Sequence, residues 1–179
     1  ENTNYLKPRI KKKKVVVFIA GGPNKYYNFN DKIIEKIFIK TKKNFINQGY
    51  QLIFIPSMRT PRRTIDKAQD FFDDDQIIIS DIDKKAYLSA LSLADHIIVT
   101  CDSTSMISEA AMTGRPIYVA QMPTIKKNIR FQKFFELFKS LDIIKNLEDK
   151  VEEWSYKKLN ETHRISGYIE KQFKDYDFS

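Results

Sequence analysis

The stretch Val15-Val-Val-Phe-Ile-Ala20 is apolar without interruption and runs straight into Gly21-Gly22-Pro23-Asn24-Lys25. A strand with one wet face would alternate. A continuous run of this length ending in glycines predicts a strand buried on both faces of a parallel sheet. Working outward, the same kind of segment returns at Gln51 to Ile55 (stopped by Pro56), Gln76 to Ser80, His96 to Thr100 and Pro116 to Ala120. Helical periodicity fills the gaps. Asn28 or Asn30 can cap a helix whose positions Ile33, Ile34, Ile37, Phe38, Phe45 and Ile46 share one stripe, with Gly49 at its end. Shorter helices are expected over Thr64 to Phe72, Lys84 to Leu93 and Thr104 to Thr113, the last closed by Gly114. Two more are expected over Arg130 to Leu141 and from about Trp154 to Phe173. Strands alternating with helices mean right-handed βαβ units. The predicted fold class is α/β: one doubly wound, Rossmann-like parallel sheet of order 3-2-1-4-5 with C-terminal helices.

Composition sets the outer limits. At 179 residues, with 42% hydrophobic and only 5 Gly, the chain can build one core and is neither disordered nor collagen-like. No apolar run approaches the ~20 residues of a membrane span, and Val15 to Ala20 is too short for a signal peptide. One Cys, Cys101, allows no internal disulfide, which suits a reducing cytoplasm. The formal net charge is +8, but six cations (Lys7, Arg9, Lys11 to Lys14) against Glu1 place most of it in residues 1–14. These are expected to be a flexible basic leader or interdomain linker ahead of a domain spanning 15–179. The leader is either simply solvated or a contact for an anionic membrane surface or a partner domain. The small excess left on the body argues against nucleic acid.

In an open parallel sheet, ligands bind beyond the carboxyl ends of the strands where the strand order reverses. The loops that flank that point are the glycine loop from Gly21 and the segment Thr100-Cys-Asp-Ser-Thr-Ser105. Gly21 and Gly22 let backbone approach closely and can aim N–H groups at an anion; a plain tight turn is the alternative. Asp102 or Ser103 should cap the next helix, and the free amides beyond, with the hydroxyls of Thr104 and Ser105, favour a phosphate. Glu109 lies one helical turn from Ser105 on the same face, where a carboxylate could accept from two ribose hydroxyls. An ordinary capped helix with a solvated Glu109 is the alternative.

The pattern Ser103, Glu109-Ala110, Gly114, Pro116 followed by a strand resembles the nucleotide-sugar-binding half of GT-B glycosyltransferases and the related sugar-nucleotide 2-epimerases. Gly21-Gly-Pro-Asn-Lys25, Ser57-Met-Arg-Thr-Pro61, the run 100–111, Gly114-Arg-Pro and Trp154-Ser-Tyr156 together resemble the mitochondrial-fission "elongated mitochondria" family, from about Val15 to near Phe173. The resemblance implies that Glu109 binds ribose and that the glycine loop faces a diphosphate. It also implies an N-terminal partner domain, so the chain is expected to be the C-terminal half of a longer protein. The implied function is binding of a nucleotide or nucleotide-sugar, UDP-linked among the options, as substrate and without a cofactor or metal. In an active parent this means metal-independent glycosyl transfer, not expected from this chain alone. The plant relatives imply the alternative of a non-enzymatic adaptor that recruits a partner to a membrane; on either reading the protein is expected in the cytoplasm, with the periphery of the inner membrane as an option.

Other features compete for roles. Arg59, in a loop with Arg62 and Arg63, has a guanidinium suited to phosphate oxygens, with a solvated loop as the alternative. Asp73-Asp-Asp75 reads as a polar turn before a metal site. His96 and His163 lack a placeable carboxylate partner and read as structural or exposed. Arg130 can reach the cleft or pair with Glu136, and Tyr26, Tyr27 and Phe29 can cover the cleft or pack inside.

Overall fold

A computed structural model describes residues 2–148 and 150–158. The elements run β1 (Lys14–Ala20), α1 (Asp31–Asn44), β2 (Tyr50–Pro56), α2 (Arg62–Phe71), β3 (Ile77–Ile78), α3 (Lys84–Leu93), β4 (His96–Thr100), α4 (Thr104–Ala111), β5 (Ile117–Ala120), α5 (Ile129–Ser140) and β6 (Ile144–Asn146). The strands form a six-stranded sheet of order β3-β2-β1-β4-β5-β6, every pair parallel. This is the doubly wound sheet expected, with one strand more. β6 was not anticipated because its three residues, Ile144-Lys-Asn146, carry no apolar run. It forms because Ile143 and Leu147 are buried on either side of it, and the Leu147 amide donates to Val119. β3 is likewise shorter than expected, pairing with β2 only at Ile77 and Ile78.

The apolar runs become the core as their periodicity requires. Val15 to Ala20, Leu52 to Phe54 and Ile97 to Val99 are all almost fully buried, covered on one face by Ile34, Ile37 and Phe38 of α1. Phe18, Phe38 and Phe54 pack ring against ring at 5.6 to 6.0 Å. Right-handed crossovers put α1 and α2 on one face of the sheet and α3, α4 and α5 on the other. Asn30, not Asn28, caps α1, its side chain accepting from the Ile33 amide. Gly49 (φ 91°) ends a 3-10 turn, Ile46–Gln48, that follows the helix.

Residues 3–13 depart from expectation. They are not a free leader: Leu6 is 1% exposed and packs into the core. Its amide donates to Ser89 Oγ on α3 at 2.9 Å, and Ser89 and Ser92 both donate to the Thr3 carbonyl. Farther along, the Lys11 and Lys12 amides donate to the buried side chain of Gln51, whose nitrogen donates to the carbonyls of Arg9 and Asp75. One leucine and one buried amide side chain outweigh the mutual repulsion of solvated lysines, because the lysine heads stay in water while the backbone is satisfied.

The expected last helix also differs. Residues 151–158 are extended coil, and the remainder of that segment, with His163, lies outside the described residues. The coil crosses the amino edge of the sheet. Trp154 Nε1 donates to the Asp142 carbonyl at 2.7 Å, and the Tyr156 hydroxyl donates to the Arg115 carbonyl at 2.8 Å. Beneath it His96 is buried in a box of Phe45, Tyr50 and Tyr118. Its Nε2 lies 3.2 Å from the Glu152 carbonyl, and burial holds its pKa below the usual histidine value. This is a structural histidine.

Candidate functional site

At the carboxyl edge the order reverses between β1 and β4, and the loops after β1, β2 and β4 converge there. The Gly21 amide donates to Thr100 Oγ1 at 2.8 Å and the Gly22 amide to Asp102 Oδ2 at 3.0 Å. Both glycine amides are therefore engaged within the chain rather than turned toward a ligand. The absence of side chains has the same internal reason. A Cβ on Gly21 would collide with the Asp102 carboxylate, and one on Gly22 with the Arg59 carbonyl.

Asp102 is the centre of this arrangement. Its side chain is 0% exposed, whereas that of Arg59 is 42% exposed, and the two meet at 2.6 Å through Arg59 Nη2 and Asp102 Oδ2. Arg59 Nη1 also donates to the Gly22 carbonyl at 3.1 Å, and Asn24 Nδ2 donates to the Asp102 carbonyl at 3.3 Å. Asp102 Oδ1, equally buried, accepts no hydrogen bond from the described residues. A buried carboxylate is tolerated only with donors of this kind, so Arg59 is fixed across the loop ends by charge as well as by geometry. Thr60 reinforces the same join, its hydroxyl lying within 3 Å of the Ala20 and Gly21 carbonyls.

Because Asp102 turns inward, Ser103 takes the cap of α4, accepting from the Met106 amide. The Thr104 and Ser105 amides sit in the first turn, where a helix offers no carbonyl partners. Ser103 Oγ and Ser105 Oγ are 3.2 Å apart. Glu109 is exposed one turn further on, but it is not merely solvated. The Tyr87 hydroxyl of α3 donates to its Oε2 at 2.7 Å, and burial together with that carboxylate raises the pKa of the tyrosine. The structure thus joins Gly21, Gly22, Arg59 and Asp102 directly and sets Ser103, Thr104 and Ser105 beside them. Among the described residues no hydrogen bond links Glu109 to the Arg59–Asp102 pair.

Reading the residues alone missed Asn24, whose Oδ1 accepts from the Tyr26 and Tyr27 amides and shapes the loop. An Asn directly after a Gly-Gly-Pro turn was the available signal. Tyr87 gave no signal, since it reaches Glu109 only through packing of α3 on α4. Tyr27 and Phe29 are buried, and the Tyr26 ring packs against Phe131 at 5.4 Å, so packing accounts for all three. Asp73 and Asp75 face Lys42 and Lys11, a solvated turn. Cys101 is fully buried behind the site. Its sulfur accepts from the Met122 amide, and burial pushes its pKa up to about 12. No helix of the described residues is long and apolar enough to cross a membrane.

The profile of the family described as mitochondrial fission ELM1 matches residues 2–173. The chain belongs to that family. A member from Rickettsia prowazekii, an uncharacterised protein, is 30% identical over 172 residues, covering 90% of this chain and 48% of that protein. The mitochondrial fission protein ELM1 of Arabidopsis thaliana is 37% identical over 87 residues, which is 48% of this chain and 20% of that one. The chain therefore spans less than half the length of these curated relatives. Among solved structures, the UDP-GlcNAc 2-epimerase of Neisseria meningitidis superposes with a TM-score of 0.51 at 15% identity, over 96% of this chain and 41% of that one. The fold of the family in this chain is therefore a Rossmann sheet of the GT-B kind.

Proposed function

We propose that this domain binds a nucleotide-sugar, UDP-linked sugars first among them, as the donor half of a GT-B-like protein of the cytoplasm. What supports the reading most is α4. Its first-turn amides at Thr104 and Ser105 follow a serine cap at the switch point, and Glu109 stands one turn further along. Helix amides and the helix dipole favour a diphosphate, and a carboxylate with one oxygen engaged by Tyr87 keeps its other oxygen for ribose hydroxyls. The fold neighbour from Neisseria was crystallised bound to UDP-GlcNAc. Gly21 and Gly22 serve this site by letting Asp102 and Arg59 come close, and Asp102 holds the guanidinium beside the cleft. Arg59 then offers its remaining N–H groups to the diphosphate. In a longer parent, amides and Arg59 would stabilise charge on the departing diphosphate without metal, with acceptor and base supplied from outside this chain.

The test is a thermal-shift series with UDP, GDP, ADP, CDP and their sugar conjugates. A ligand at 100 times its Kd stabilises the fold by about 2.7 kcal/mol, readily seen at this size. A shift with one base, abolished in Glu109→Ala, carries the proposal. No shift with any of them at about millimolar ligand overturns it in favour of an adaptor that binds no nucleotide.

A further inference from the structure

Among the described residues, two exposed aliphatic side chains, Ile39 on α1 and Met112 after α4, stand apart, and the others gather at one edge. Met58 (90%), Ile82 (61%), Ile125 (64%) and Ile129 (67%) all stand in loops or a first helical turn at the carboxyl edge of the sheet. The backbone that carries three of them is pinned into one platform. The Asn28 amide donates to the Pro123 carbonyl at 2.8 Å, Tyr27 and Thr124 form an antiparallel bridge, and the Ile125 amide donates to the Tyr26 carbonyl at 2.7 Å. Arg59, next to Met58, donates to the Gly22 carbonyl of the same loop. Phe131 packs on both Tyr26 and Tyr27, which fixes the start of α5 and leaves Ile125 and Ile129 turned to solvent.

Around Met58, Ile125 and Ile129 the platform carries one sign of charge, whereas Ile82 stands apart between Asp81 and Asp83. Segments 21–30, 56–65 and 121–135 contain no Asp or Glu, but they contain Lys25, Arg59, Arg62, Arg63, Lys126, Lys127, Arg130 and Lys133. Arg59, Arg62 and Arg63 are matched by Asp102, Asp66 and Asp31 from outside those segments. Lys126 and Lys127, which sit between the two isoleucines, make no ion pair among the described residues.

We propose that this edge docks on an anionic lipid bilayer, with Ile125, Ile129 and Met58 entering the headgroup boundary and Lys25, Lys126 and Lys127 engaging lipid phosphates. Isoleucines flanked by lysines need no preformed complementary pocket in a fluid surface, and lysine stems reach past them to the headgroups. The exposed side chains are aliphatic rather than aromatic, which argues against stacking on nucleic-acid bases. The surface differs from the basic leader, which is docked on α3 and Gln51. It shares the carboxyl edge with the proposed nucleotide-sugar cleft, since Met58 adjoins Arg59 and Lys25 ends the glycine loop, but it uses side chains to which the cleft gives no role.

The experiment is vesicle flotation of the whole chain on phosphatidylcholine alone and on phosphatidylcholine with about one third phosphatidylglycerol. Binding is expected on the anionic vesicles. Ile125→Ser/Ile129→Ser and Lys126→Glu/Lys127→Glu should each weaken it at least about tenfold, with circular dichroism and melting unchanged. Lys7→Ser/Arg9→Ser should bind as the parent does. The proposal is overturned if the parent stays soluble on anionic vesicles, if the rim variants still float, or if the leader variant alone abolishes binding.

Discussion

The two edges of the sheet are built on opposite terms. At the amino edge, rings, an N-terminal segment and a C-terminal coil cover the strand ends, and their backbone groups find protein partners: Trp154 on Asp142, Tyr156 on Arg115, Leu6 on Ser89. At the carboxyl edge a carboxylate is buried with one oxygen unpartnered among the described residues, first-turn amides lack carbonyls, and isoleucines stand in solvent. Ordinary folding forces explain the first edge apart from one buried nitrogen, His96 Nδ1, that has no hydrogen-bond partner among the described residues. They leave the second with unused donors and uncovered apolar surface, which is why the functional reading belongs there. Stability and binding should therefore separate by edge when the molecule is perturbed.

The largest loss is expected at the amino edge. Phe45→Ala empties the ring box around His96 and should cost about 3–5 kcal/mol in urea unfolding, with ligand affinity per folded molecule unchanged. A cost under about 1 kcal/mol would mean that the box is not packed as described. Leu6→Ala comes next, at about 2–3 kcal/mol, toward the lower end for a buried leucine because the segment can partly detach. A free leader would show no change, so this variant decides between docked and solvated. Arg59→Ala, at the other edge, leaves Asp102 with the Gly22 amide alone and should cost about 1–3 kcal/mol. It should also weaken nucleotide-dependent shifts, a pairing of effects that no amino-edge variant should show. Glu109→Ala should change stability by no more than about 0.5 kcal/mol, since the carboxylate is exposed, while removing ribose recognition.

A pH series sharpens the contrast further. His96 has a lowered pKa in the fold, so below the ordinary histidine value of about 6.5 the unfolded chain takes up a proton that the folded chain refuses. Stability should fall as pH drops through that value, and His96→Phe should remove that part of the slope. Urea midpoints at several pH values measure it. An unchanged slope in the variant would show that His96 takes up its proton equally well folded and unfolded, against the burial described.

How far the residues foretold the fold follows from which force dominates each element. β1, β2 and β4 are continuous apolar runs, and α1 has an unbroken stripe and a cap, so periodicity alone finds them. β6 is three residues whose pairing rests on burial of its flanks, and no local pattern encodes that. The coil around Trp154 has a helix-like spacing of large residues. Its rings instead meet carbonyls and Tyr118, contacts that only the finished sheet supplies. The leader misled because six cations mask one leucine. At the site, Asp102 and Ser103 are both good caps in adjacent positions, and only one can serve. The residue displaced from capping becomes the buried carboxylate that organises Gly21, Gly22 and Arg59, a consequence visible only once the loops are brought together.

Cys101 turns this layout into a clock. The chain has a single thiol, and it lies under the Met122 amide between β4 and β5, with its pKa pushed to about 12. A thiol reagent can modify it only in molecules whose sheet centre has opened, so the labelling rate counts openings directly and without an engineered probe. Followed with and without nucleotide, or on and off vesicles, the mass added at one residue would report how tightly each partner holds the sheet shut.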